Sequence, residues 1–518
     1  MGAEHGETAT ARSEVPDAPI ETLLDAGPDD DGLLSFDDRW WTRGEMRAST
    51  AALREQLTAA GVGPGSVIAT ILPSSPAAIP ATFGAWRSGG VFVPLNPRLT
   101  PTELRRMIAE VDPAAVVLPT GDPFVDDDAV ADRTVVTVDP DLTWRSDRVR
   151  PGAGTTVDPG AAIILYTSGT TARPKAVMLR RSTLTAAMAS VVSSFGGGRT
   201  DPTRRPMPNL VPFPLYLWSG IYTVCFALRA GSPIIAMERF EPRKFAALVR
   251  EFGVRSVLLA PAMLAALVES DVDDLGPLRF VRNGTAPLSL ALADRFEARY
   301  GIPVLNGYGQ TELGGEVIGW SGRDAREFGA TKRGSVGRPH PGITMRIVGD
   351  DGTPLPPGAI GEVCVKSPFA MAGYLNQADP DRVLDDGLLR TGDLGRVDDD
   401  GFVWLTGRRS DVINRSGLKV FPDEVEDVLR TEPDLLDVAV AGVDDSRVGQ
   451  IPWAFVVVRD GADPTELDAR LDARARESLA AYKVPAGYSL VDELPRSDVG
   501  KVLRRVLIEE HAGRGAVD

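Results

Sequence analysis

Residues 166–175 read YTSGTTARPK, a segment holding the hydroxyls of Thr167, Ser168, Thr170 and Thr171 together with Gly169, Pro174 and Lys175. The preceding residues 161–165, AAIIL, read as a buried strand. A strand that empties into a Ser/Thr/Gly loop offers backbone N–H groups and hydroxyls to an anion, and Lys175 adds a point charge. That is the chemistry of holding a polyphosphate. The spacing differs from the Walker loop, because no G-x-x-x-x-G-K-[ST] string occurs.

A chain of 518 residues exceeds the usual size of one hydrophobic core, so two or more domains are expected. Its 43% hydrophobic and 25% charged residues are those of an ordinary globular protein. A net charge of −16 and a pI near 4.9 argue against a nucleic-acid partner, which needs a basic face. Cys225 and Cys364 lie far apart in no metal-binding spacing and suit a reducing compartment. Of the histidines His5, His340 and His511, His340 is the one placed near a site, and its GRPHPG context reads as a loop. The acidic, polar start MGAEHGETAT lacks the pattern of a secretory signal, and no apolar run approaches the ~18 residues that span a bilayer. A cytoplasmic protein is expected.

The pattern along the chain is α/β. Residues 1–15 read as a disordered arm. Thr42–Ala60 reads as an amphipathic helix, and apolar runs at 66–72, 90–94, 116–118 and 134–138 read as strands between helical segments. The rhythm returns at 233–237, 256–260, 280–282 and 304–305. Such alternation implies two mostly parallel sheets covered by helices. From about 334 to 406 short strands at 335–337, 344–348, 362–366 and 402–405 alternate with Gly/Pro turns, which suits a small β-barrel subdomain. From 412 to 518 the order strand, helix (422–431), strand (438–441), strand (453–458), helix (465–479), strand (488–491), helix describes a small α+β domain. The expected boundaries are therefore 16–408 for the large N-terminal domain, 409–411 for a hinge, and 412–518 for the C-terminal unit.

Further motifs carry chemistry. Residues 306–312, NGYGQTE, combine close-approach glycines (Gly307, Gly309), a flat ring (Tyr308), a hydroxyl (Thr311) and a carboxylate (Glu312) that suits Mg2+ beside phosphates. Residues 390–395, RTGDLG, place Asp393 at a Gly-flanked strand end, where a carboxylate can accept two ribose hydroxyls. Residues 407–426 read GRRSDVINRSGLKVFPDEVE, and residues 495–505 read PRSDVGKVLRR, with Lys501 on a Pro/Gly-flanked loop.

These five strings, in this order, resemble the signatures of the adenylate-forming superfamily: acyl-CoA synthetases, adenylation domains of nonribosomal peptide synthetases, and beetle luciferases. Stand-alone acyl-CoA ligases are the nearest in look. The resemblance runs from about residue 160 to 505. It implies a large N-terminal domain followed by a small mobile lid domain, with ATP and Mg2+ as cofactors and coenzyme A as co-substrate. By resemblance, Thr167, Ser168, Gly169, Thr170, Thr171 and Lys175 hold the leaving pyrophosphate. Thr285, Ala286, Pro287, Asn306, Gly307, Tyr308, Gly309, Gln310 and Thr311 surround the nucleotide. Asp393 and Arg408 hold the ribose, Glu312 ligates Mg2+, and Lys501 is the catalytic lysine, with Thr311 and Glu312 beside it. Tyr216, Leu217, Trp218, Asn283, Gly284, Gly307, Gly314 and Gly315 would line the acyl pocket. Ser410 takes the hinge position, and Ser416, Gly417 and Lys419 would face the tunnel of a second step after domain rotation.

The chain departs from the family pattern in places. Ala176 replaces the usual Gly after the loop lysine, which predicts a less mobile loop; Ser410 replaces the usual hinge Asp or Lys; Leu217 stands where His is common. All of them bear on the acyl pocket and the second step. Three acceptors follow: CoA first, an amine giving an amide next, and a separate carrier protein third. Tyr216 and Trp218 would favour a cyclic, aryl or medium-chain acid, unless both simply pack in the core. Either a monomer or a homodimer is compatible with this reading.

Overall fold

The computed structural model describes residues 18–167, 175–194, 206–375, 382–384, 386–459, 461–462, 466–497 and 500–515. The expected arm and the loop residues Ser168, Gly169, Thr170 and Thr171 lie outside them.

The helix expected at 42–60 runs Arg43–Ala59. Thr42 Oγ1 accepts from Glu45 N while the Glu45 side chain accepts from Thr42 N, a reciprocal cap that fixes its start. Met46, Leu53 and Leu57 are fully buried along one face. That face helps cover the central sheet. Among the described residues this sheet has eight strands in the order Gly373–Tyr374, Lys175–Arg180, Ala161–Thr167, Val91–Pro94, Val67–Thr70, Ala115–Pro119, Thr134–Val138, Trp144–Arg148. The five from Ala161–Thr167 to Thr134–Val138 are parallel, and the edge strands are antiparallel. Residues 115–118 have no exposed surface, which fits a strand covered on both faces.

The second layer divides in two. Ser256–Leu259, Phe280–Asn283 and Val304–Asn306 form a parallel trio. Asn209–Val211 and Ile234–Ala236 form a sheet with a hairpin, Gly32–Phe36 and Arg39–Thr42, to which no strand was assigned from sequence. Asp37 and Asp38 both adopt positive φ in its two-residue turn. The hairpin lacks the usual glycine signal, so the turn was invisible.

The β-rich segment forms an antiparallel sheet of Thr344–Val348, Gly361–Lys366, Leu389–Val397 and Val403–Arg408, whose described strands follow an open path rather than a closed barrel. The strand expected at 335–337 lies instead at Arg338–Pro339, because Gly337 turns to φ +93 before it. Val336 N–H still donates to Val403 O, and Val403 N–H to Gly337 O, joining this sheet to the small sheet of Tyr308–Gln310, Gly315–Gly319 and Arg338–Pro339.

Beyond it, the strands Ile413–Arg415, Leu418–Val420, Leu435–Asp445, Gly449–Val458 and Tyr488–Leu490 build one sheet. Val425, Leu429 and Leu471 from the helices Pro422–Leu429 and Leu467–Ser478 pack on one face. Leu507 of the helix Arg504–Gly515 meets Phe455 on the other. Arg459 Nη1 lies 3.1 Å from Glu269 Oε2, and Lys419 Nζ 2.9 Å from Asp350 Oδ2, tying this unit to the rest of the chain.

Candidate functional site

The C-terminal ends of the parallel trio open into a cleft of about 1600 Å³, the place where open α/β sheets bind ligands. The segments 284–289 and 306–312 form one wall, and the strands Leu389–Val397 and Val403–Arg408 form another. The 500–504 segment of the C-terminal unit closes over it.

Asp393 and Arg408 belong to separate sequence signatures, yet they are cross-strand partners, set in register by the hairpin turn at 398–401. Arg408 Nε is 3.1 Å from Asp393 Oδ1. On the other oxygen, Oδ2, the carboxylate accepts from Tyr308 Oη at 2.8 Å and Gln310 Nε2 at 2.7 Å. Asp393 is only 7% exposed, and these donors meet the cost of burying its charge. Burial, and then Asp393 itself, hold the Tyr308 phenol well above its ordinary pKa, so it stays a donor. Gly309 has no substitute here: a Cβ would overlap Gly315 O on the facing strand.

Lys501 reaches the same corner. Gly500 N–H donates to Ser497 O at 2.7 Å, with Gly500 at φ +80, and this turn presents the lysine to the cleft. Burial, and next the Arg408 guanidinium, push its ammonium down to about 8, against the opposing pull of Asp393 and Asp411.

A second cluster surrounds Glu312, which is 8% exposed in the one-turn helix Thr311–Leu313. Its Oε1 lies 3.2 Å from Tyr374 Oη and 3.1 Å from Arg382 Nη2. Lys175 Nζ stands 4.9 Å from the centre of the Tyr374 ring. Tyr374 and Arg382 carry no sequence signature; the pairing of Gly373–Tyr374 with Lys175–Arg180 sets Tyr374 beside Glu312. Thr167 lines the cleft at its strand end, and Thr285, Ala286, Pro287, Asn306, Gly307, Gln310 and Thr311 line it too. Thr285 takes φ +75, a strained angle of the kind that concentrates at ligand sites.

Of the acyl-pocket candidates, Leu217, Trp218, Gly284, Gly307 and Gly315 line the cleft. Tyr216, Asn283 and Gly314 do not. Asn283 is 1% exposed and its Nδ2 donates to Asn306 Oδ1 at 2.9 Å across the parallel strands. Gly314 sits at φ +84 against Phe369, and Tyr216 is half-buried. Tyr222, one helical turn after Trp218, takes a place in the wall that the motif reading had not assigned, its ring 5.5 Å from the Trp218 ring.

Ser410 donates to Asp411 Oδ1 at 2.9 Å within the single turn Arg409–Asp411. Ser416 and Gly417 both take positive φ in an exposed two-residue hairpin turn outside the cleft, and Lys419 pairs with Asp350. Ala176 lies in extended, buried backbone and its carbonyl accepts from Leu375 N at 2.9 Å, so no positive φ is at stake there. The loop stiffening expected from this residue therefore has no backbone basis at position 176.

The buried Asp393–Arg408 pair, the Glu312 cluster and Lys501 from the C-terminal unit meet in one cleft, an arrangement that fits an AMP-binding enzyme. The chain belongs to that family: residues 23–375 match the AMP-binding enzyme and residues 424–501 the AMP-binding enzyme C-terminal domain. It is 31% identical to the fatty acid–[acyl-carrier-protein] ligase ScoC of Streptomyces coeruleorubidus, over 92% of this chain and 93% of that one. It is 32% identical to an indoleacetate–CoA ligase of Aromatoleum aromaticum, over 90% of this chain and 93% of that one. The amide bond synthetase McbA from Marinactinospora thermotolerans superposes with a TM-score of 0.80 at 30% identity, over 95% of this chain and 99% of that one. Among the described residues no helix is long and apolar enough to cross a membrane.

Proposed function

We propose that the protein activates a carboxylic acid with ATP through an acyl-adenylate, R–COO⁻ + ATP → R–CO–AMP + pyrophosphate, and passes the acyl group to coenzyme A. The observation that carries the reading is the meeting of Asp393, Arg408 and Lys501 at one corner of the cleft, although they come from three separate signatures. Asp393 accepts the ribose hydroxyls, with Arg408 beside it. Tyr308 and the 285–287 segment flank the base. Thr167, the 168–171 hydroxyls and Lys175 grip the leaving pyrophosphate.

Lys501 neutralises charge between the attacking carboxylate and the α-phosphate, so catalysis rests on positioning and electrostatics rather than on a protein nucleophile. Among the described residues no cluster of three or more metal-binding side chains occurs, and Glu312 is the carboxylate on the phosphate side. One protein carboxylate suits Mg2+, which takes most of its ligands from water and phosphate oxygens. When bound there, Mg2+ would supply charge neutralisation to the pyrophosphate. Thr311 follows Gln310 into the same turn and faces the α-phosphate side.

For the second step, residues 409–411 act as the hinge between 16–408 and 412–518. Rotation there would withdraw Lys501 and bring the Ser416–Gly417 turn and Lys419 to the cleft. The breaking of the Lys419–Asp350 and Arg459–Glu269 pairs accompanies it. The three relatives described above use three acceptors by name: a carrier protein, CoA and an amine. An amide bond synthetase is accordingly the second reading, supported by the full-length structural likeness at 30% identity. The buried free thiols Cys225 and Cys364 fit a cytoplasmic setting.

The test is acid-dependent exchange of pyrophosphate into ATP over a panel of acids. The best acid is then supplied with CoA, with amines, or with a phosphopantetheinylated carrier protein. Thioester formation with CoA alone supports the first reading. Amide formation without CoA replaces it with the second.

A further inference from the structure

One polar cluster reaches the cleft through Glu316 and has no role in the function proposed above. Glu316, on the strand Gly315–Gly319, lines the cavity beyond Gly307 and Gly315. Its Oε1 accepts from His340 Nε2 at 2.9 Å and from Arg282 Nη1 at 3.4 Å. Arg282 also donates to Trp320 O at 3.2 Å, which fixes the guanidinium behind the carboxylate. All three side chains are largely buried, with 14–21% of their surface exposed. A carboxylate held this way costs desolvation energy that an apolar wall would avoid. Two glycines make room for it. A Cβ on Gly319 would stand 2.9 Å from His340 Cε1 and overlap Glu316. A Cβ on Gly307 would stand 2.7 Å from Glu316 Oε2. Because Gly307 has none, Oε2 lies against its backbone at the cavity wall, in the space a side chain would fill.

We infer that Glu316, aimed by His340 and Arg282, selects carboxylic acids that carry a neutral hydrogen-bond donor, an N–H or O–H, on a flat ring or chain seated by Trp218 and Tyr222. This deepens the adenylation reading and rests on it. The donor is neutral because Arg282 already balances the carboxylate charge. An ammonium would meet a guanidinium behind its partner, and a second carboxylate on the substrate would be repelled by Glu316. An acid without the donor strips water from Oε2 and replaces it with nothing, the situation in which polar sites discriminate most strongly. Glu316 is thus a specificity residue, while His340 and Arg282 are positioning residues that orient it.

The test uses the whole 518-residue chain and near-isosteric acid pairs in pyrophosphate exchange: indole-3-carboxylate against benzothiophene-3-carboxylate, and 4-hydroxybenzoate against 4-methylbenzoate, with terephthalate as the dianion. The donor-bearing member is expected to show a kcat/KM at least about tenfold higher, the worth of one hydrogen bond to a charged acceptor. Glu316→Ala should abolish that preference, read as the ratio of kcat/KM between the two members of a pair, whatever the absolute rates of the variant. Glu316→Gln, which keeps an acceptor oxygen, should retain part of it. Equal wild-type rates within each pair, a preference for the dianion, or an equal fall of both members in Glu316→Ala, which leaves the ratio unchanged, would overturn the inference. The wild-type comparison decides the matter even if a variant fails to fold. Exchange that occurs without donor preference sinks this inference alone, whereas no exchange with any acid sinks the adenylation reading beneath it.

Discussion

The hydroxyl of Tyr308 donates to Asp393 Oδ2 over 2.8 Å, across 85 residues of sequence. This bond ties the short strand Tyr308–Gln310 to the antiparallel strand Leu389–Val397, so the ring and the carboxylate form one preorganised unit, which the proposed function places at the base and the ribose. Asp393→Ala should raise the KM for ATP by roughly 10- to 100-fold, since it removes an acceptor that is charged and buried. Tyr308→Phe should raise it less, by about threefold to tenfold, because Gln310 and Arg408 still hold the carboxylate. ATP titration of pyrophosphate exchange at saturating acid measures both.

The lowered pKa of Lys501, about 8, gives a pH signature. If the ammonium is the active form, kcat/KM for adenylation falls as pH rises through about 8 in the free enzyme. Lys501→Arg should move that limb above the measurable range, at the cost of a lower plateau. The stability sign is opposite. The folded state binds fewer protons than the unfolded state between about 8 and the ordinary lysine value, so this residue's contribution to stability grows with pH across that window. A pH–rate profile beside a pH–Tm profile separates the two effects.

The Arg459–Glu269 pair, 3.1 Å apart and partly exposed, is worth no more than about 1 kcal/mol. Loss of that amount would change the balance between domain arrangements by about fivefold at most. Glu269→Gln should therefore slow adenylation by a few-fold and leave the transfer of a supplied acyl-adenylate unchanged or faster. Single-turnover rates of the two half-reactions distinguish this from a general loss of activity.

Arg504 anchors the C-terminal unit. Its Nη2 lies 2.6 Å from Glu426 Oε1 and 3.1 Å from Asp423 Oδ1, and its Nε donates to Val440 O at 3.0 Å. Arg504→Met leaves Glu426 buried with Arg430 as its remaining cation and should cost about 3 kcal/mol or more. Asp423, raised to about 6 by burial and then by Glu426, binds protons more tightly when folded. Its own contribution to stability therefore falls as pH rises from about 4 to 6. Denaturant unfolding at several pH values checks both statements.

Much of this site was legible because its parts are short strings whose residue types are dictated by chemistry. Gly309 is required by the approach of Gly315 O, and Asp393 by a hairpin register that DDDG at 398–401 announces. The parallel strands were equally plain, since runs such as Ala115–Pro119 are buried on both faces. What stayed hidden depends on long-range pairing. Tyr374 reaches Glu312 because Gly373–Tyr374 joins the sheet edge beside Lys175, and Arg382 meets the same carboxylate from a segment with no motif. The Arg282–Glu316–His340 cluster brings together three segments with no common motif, and His340 alone gave a loop reading that was correct about its backbone and silent about its partner. The hairpin at 32–42 was missed because aspartates, not glycine, fill its left-handed turn.

Wild type and Lys501→Ala are best compared in two assays: acid-dependent pyrophosphate exchange, and conversion of a supplied acyl-adenylate to product with whichever acceptor the acid panel selects. Exchange should require acid, ATP and Mg2+ together and fall by at least about a hundredfold in the variant, while the second conversion persists. Undiminished exchange in Lys501→Ala, or an equal loss in both assays, would contradict it.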